Sequence, residues 1–96
     1  MKTIELNQFN TTFRVEGSSQ TRSLEIKKVD LYSSDSQGLK LNVIDEKDIT
    51  IYSQPLNQSG ITVVGKRFVF YDHLSVNVEA EQADTTFAVT LHIVLN

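Results

Sequence analysis

No cysteine occurs anywhere in the chain. Disulfide bridges, thiolate zinc sites and cysteine nucleophiles are excluded at once, and the redox compartment leaves no trace in the sequence. Tryptophan is absent too, so an aromatic platform for a sugar would have to come from Tyr32, Tyr52 and Tyr71. No apolar stretch approaches the length of a membrane span, and Met1 to Asn7 lacks the apolar run of a secretory signal. If Met1 is the natural start, the expectation is synthesis in the cytoplasm without a signal peptide. Basic residues are outnumbered, with nine Lys and Arg against twelve Asp and Glu and a formal charge of -3. That balance argues against binding nucleic acid or an anionic membrane through a basic surface. The adjacent pairs Lys27-Lys28 and Lys66-Arg67 read as solvated strand edges rather than phosphate sites.

What the chain has is a period of two. From Phe87 to Leu95 every second residue is large and apolar, so Phe87, Val89, Leu91, Ile93 and Leu95 face one way, into a core. The reverse face carries Thr86, Ala88, Thr90, His92 and Val94, small or β-branched residues suited to a partly covered surface. Leu74 to Glu81 alternates as cleanly, and Gln82-Ala83-Asp84 links it to the terminal strand, which predicts an antiparallel hairpin at the carboxy terminus. Helix-favouring residues between Asn77 and Ala83 are outweighed by this alternation.

Earlier segments are shorter and change phase. Ile4 and Leu6 fall on one parity and Phe13 and Val15 on the other, so a turn or bend separates two strands there. Leu24 and Ile26 give way to Val29 and Leu31 one register later, which places a bulge at Lys27-Lys28. Leu39 to Val43, Ile49 to Tyr52, and the pair Ile61–Val64 and Phe68–Tyr71 complete the set. Gly65-Lys66-Arg67 is either a tight turn or a bulge in one long strand. Pro55, the only proline, marks a strand edge or end because it cannot donate to a ladder. Residues 1–96 therefore read as one all-β domain, an antiparallel β-sandwich of jelly-roll or Greek-key kind with about seven or eight strands.

Several constellations imitate chemistry. Gly60-Ile61-Thr62-Val63-Val64-Gly65-Lys66-Arg67 has phosphate-loop spacing, but its β-branched middle, the Arg after the Lys and the strand-like residues beyond it oppose a nucleotide cradle. Asp72-His73-Leu74-Ser75 holds the residue types of a hydrolase triad without the geometry, and reads as a turn capped by Asp72. His73 and His92 lie too far apart in sequence to imply a metal site. Asp30 with Asp35, and Asp45, Glu46 and Asp48, lack the spacing of a calcium loop. Asn10-Thr11-Thr12 and Asn57-Gln58-Ser59 fit the glycosylation triplet by chance in a Ser/Thr/Asn-rich chain. No catalytic residue, metal or cofactor is expected.

The expected function is accordingly non-enzymatic: a structural or assembly protein that docks on a larger complex or on copies of itself, as a homo-oligomer such as a trimer. A phage virion component, decorating a capsid or associated with a tail, is one setting. Val69, Tyr71, Ala88, Thr90 and Val94 are the candidate interface. The alternative is a small carbohydrate-binding module using Tyr32, Tyr52 and Tyr71, with a glycan as partner.

Overall fold

A computed structural model describes residues 2–34, 38–56, 60–81 and 86–96. Within them lie eight strands: β1 (Lys2–Asn7), β2 (Thr12–Glu16), β3 (Ser23–Ser34), β4 (Leu39–Ile44), β5 (Thr50–Leu56), β6 (Gly60–Val69), β7 (His73–Ala80) and β8 (Phe87–Leu95). They form two four-stranded antiparallel sheets, a first sheet in the order β1-β8-β3-β6 and a second in the order β2-β7-β4-β5. Every connection but β4–β5 carries the chain from one sheet to the other, which is the jelly-roll arrangement. No helix occurs among the described residues, and none is long and apolar enough to cross a membrane.

Alternation builds the core. β8 contributes Phe87, Val89, Leu91 and Ile93, β3 contributes Leu24, Ile26, Val29 and Leu31, and β7 and β4 close over them with Leu74, Val76, Val78, Leu39, Leu41 and Val43. β3 changes parity at the expected place: its pairing with both β6 and β8 shifts between Ile26 and Lys28. Without that extra residue, Val29 and Leu31 would face solvent. Gly65, at φ 61°, resolves its own ambiguity as an irregularity inside one continuous β6. Pro55 sits in β5, which pairs only with β4 and forms an edge of the second sheet.

The carboxy-terminal hairpin is not formed. β7 pairs with β2 and β4, while β8 pairs with β1 and β3 in the opposite sheet. Two successive strands with one apolar row each can either pair side by side or face each other across a core, and alternation fits both. The turn at Asp72 is also capped differently. Tyr71 and Asp72 donate their backbone N–H groups to Glu46 Oε2, at 3.4 and 3.1 Å, so the cap comes from a distant loop. Asp45 shapes that loop by accepting from Lys47 N–H and Ile49 N–H through Oδ1, at 2.9 and 3.0 Å, and Asp48 there takes φ 61°.

Candidate interaction surface

The outer face of the first sheet is built in cross-strand rows. Glu5, Thr90, Asp30 and Ile61 form one row, Thr3, His92, Lys28 and Val63 the next, and Val94, Glu25 and Arg67 a third. Each row is polar towards the middle and ends at β6 on Ile61, Val63 or Arg67. Ile61 and Val63 are 59% and 78% exposed, far beyond what an edge strand needs to expose for its own folding. Farther along the same margin Val69 is 71% exposed and Tyr71 76%, with the Arg22 guanidinium 5.2 Å from the Tyr71 ring. An apolar edge invites uncontrolled pairing. Between the two apolar pairs stand Gly65, a left-handed residue at the register shift, and two exposed cations, Lys66 and Arg67, that pair with Ile26 and Glu25 of β3.

The residues expected to form an interface divide here. Ala88, Thr90 and Val94 do lie on one face of β8, but β8 is an inner strand and its neighbours cover it. Thr90 is buried between Glu5 and Asp30, and Ala88 and Val94 are half-buried. Val69 and Tyr71 remain free. Ile61 and Val63 were hidden in the sequence because Ile61 to Val64 is apolar on both parities, so no outward row can be read from it.

The three tyrosines do not converge. Tyr32 borders a shallow cavity of about 130 Å³ on the outer face of the first sheet, with Glu5, Asn7, Ala88 and Thr90. Tyr52 turns inward, its ring centroid 5.5 Å from that of Phe68 and its hydroxyl donating to Gln54 Oε1 at 3.0 Å. Tyr71 lies beyond the far end of β6. The second sheet's outer face instead carries a polar row of Thr12, Asn77, Asn42 and Ser53, in which the Ser53 hydroxyl donates to Asn42 Oδ1 at 2.8 Å.

Folding brings His73 to carboxylates that sequence spacing could not place. Glu16 pairs with His73 across β2 and β7, and together with Asp72 they offer ligand atoms within 4.8 Å of one another, the arrangement among the described residues that could hold a metal. His73 Nδ1 is 3.5 Å from Asp72 Oδ2, too far for a hydrogen bond. Arg14 Nε already pairs with Glu16 Oε1 at 2.8 Å, and both carboxylates stand in solvent, as most surface acids do. Asp35 and the triplet 57–59 lie outside the described residues.

A second exposed feature projects from the β1–β2 connection. Asn7 and Asn10 exchange backbone hydrogen bonds of 2.9 and 3.1 Å around Gln8-Phe9. Asn7 Oδ1 also accepts from Phe9 N–H and Asn10 N–H, at 2.8 and 3.0 Å, while Gln8 Oε1 accepts from Phe87 N–H at 3.3 Å. Phe9 is left 89% exposed at the tip of this braced turn. An Asn-x-x-Asn turn with a phenylalanine at its centre is a legible signal, since turn chemistry and a large apolar side chain conflict. Asn7→Ala removes both side-chain bonds and is expected to cost about 1 kcal/mol, read as a lower urea midpoint at unchanged slope.

No family model matches the chain, and no curated protein does. Among solved structures it is similar to the Drosophila NLP-core, whose crystal structure is described as providing insight into pentamer formation and histone binding. The TM-score is 0.61 at 12% identity, over 97% of this chain and 96% of that one. At that identity the likeness is one of fold.

Proposed function

We propose that this chain is a non-catalytic assembly protein that associates with copies of itself, or docks on a larger protein complex, through the β6 margin of its first sheet. The observation that carries the reading is the exposed run of Ile61, Val63, Val69 and Tyr71 along one edge. Burying the remaining exposed surface of Ile61 and Val63 would contribute roughly 1–2 kcal/mol each before the costs of association are subtracted. The fold supports the reading by analogy, since the similar NLP-core is described in terms of pentamer formation. The small negative charge and polar second sheet suit a protein partner better than nucleic acid. A virion is one setting for such a protein, and the fold does not favour it over others.

Light scattering on the purified chain tests this. The expected result is a closed oligomer that dissociates on dilution. Val63→Asp, which sets a charge in the margin without touching the core, is expected to weaken association on the order of 10- to 100-fold while the thermal midpoint of the monomer stays put. A chain that stays monomeric at high concentration and retains no protein from its source would end the proposal.

A further inference from the structure

We infer that Phe9 is the anchor of a head-to-tail contact between copies of this chain, seated against Ile61 and Val63 of the next copy. The inference rests on the self-assembly reading and specifies its geometry. Phe9 is the most exposed large apolar residue among those described, yet its turn is held by the backbone exchange of Asn7 and Asn10, by Asn7 Oδ1, and by the tie from Gln8 to β8. A side chain presented on a braced turn loses little backbone freedom on docking, which is what a pre-organised aromatic anchor requires.

The rest of the chain indicates the occupant. Phe9 projects from the β1–β2 connection, which joins the β1 edge of the first sheet to the β2 edge of the second. Ile61 and Val63 lie on β6, the opposite edge of the first sheet. Two apolar features on opposite margins of one sandwich cannot cover each other within a molecule, but they can between molecules. A contact of one margin with the other is heterologous, and it either closes into a ring or runs on as a filament.

Register places the two features along the strands. Asn7 pairs with Ala88, Ala88 pairs with Ser33, and β6 begins nearby, where Gly60 pairs with Leu31. The counter-surface starts near the level of the knob and runs away from it, since Ile61 stands level with Glu5 and Val63 level with Thr3, two and four residues along from Asn7. A neighbour must therefore be tilted or offset along the strands as well as rotated, and the balance of the two sets whether the contacts close or run on. Lys66 and Arg67 farther down β6 discourage pairings slipped beyond Val63.

The lack of cysteine makes the test direct. Asn10→Cys, beside the anchor, and Val63→Cys, on the counter-surface, each introduce the only thiol. Under mild oxidation each variant alone is expected to remain uncrosslinked and their mixture to give a covalent heterodimer. The double variant should give a ladder of covalent oligomers, which stops at one size for a ring and runs on for a filament. Self-crosslinking of Asn10→Cys alone would mean a two-fold contact, and absence of crosslinks in the mixture would mean the margins do not meet; either overturns the inference. Phe9→Ser should weaken self-association on the order of 10- to 100-fold with no change in monomer thermal midpoint, because the ring is outside the core. If Phe9→Ser assembles as well as the parent, the anchor is refuted while self-assembly through β6 stands. If the parent itself is monomeric, the assembly reading fails first, and this inference with it.

Discussion

Leu91→Ala is expected to lower the unfolding free energy by about 3–5 kcal/mol. Leu91 is completely buried at the middle of β8, between Ile4 of β1 and Val29 of β3. An inner strand is held by ladders on both sides and cannot slide inward to fill the void, so the cavity term adds to the lost transfer energy. Domains of this size have about 5–15 kcal/mol in total, which leaves the variant close to the folding threshold. Urea denaturation of parent and variant at one protein concentration measures the difference, with the concentration held fixed because self-association would stabilise the parent. A loss under about 1 kcal/mol would mean that β8 does not stand at the centre of a packed core, and the two-sheet arrangement would have to be abandoned.

Gly17→Ala is expected to cost about 3 kcal/mol or more, for a reason unconnected with apolar burial. Gly17 follows β2 and donates its N–H to the Asp72 carbonyl at 2.7 Å. A Cβ there would overlap the Tyr71 carbonyl oxygen and lie 2.8 Å from its carbonyl carbon. Both obstructing atoms are backbone, and that backbone is pinned by the two N–H bonds to Glu46, so neither side can give way cheaply. The expected signature is a large drop in thermal midpoint caused by a clash, whereas Gly60→Ala would meet nothing within 4 Å and would carry only the backbone strain of its φ of 111°. Equal stability of Gly17→Ala and the parent would show that the β2–β7 corner is open rather than closed against Tyr71.

Much of this was legible in the chain. The core rows of β3, β4, β7 and β8 follow from alternation alone, as do the bulge at Lys27-Lys28, the break between β1 and β2, and the edge position of Pro55. The carboxy-terminal pairing was not, because Leu74 to Val78 and Phe87 to Leu95 present the same pattern whether they lie in one sheet or oppose each other. The surface was legible only in part. Val69 and Tyr71 proved exposed, but Thr90 proved buried, since small residues on an outer face read alike whether they await a partner or are shaded by Glu5 and Asp30.

Local order along the chain thus determined which residues point inward, because a strand's side chains alternate by covalent geometry and an apolar row has nowhere to go but a core. It determined as well that thiol chemistry is excluded, since the atoms for it are missing. Only the tertiary structure decided which strands are neighbours, and therefore which outward residues remain in water. Exposure is a property of what folds over a side chain, so Ile61, Val63 and Phe9 become a surface only once β6 and the β1–β2 turn are seen on opposite margins of the sandwich.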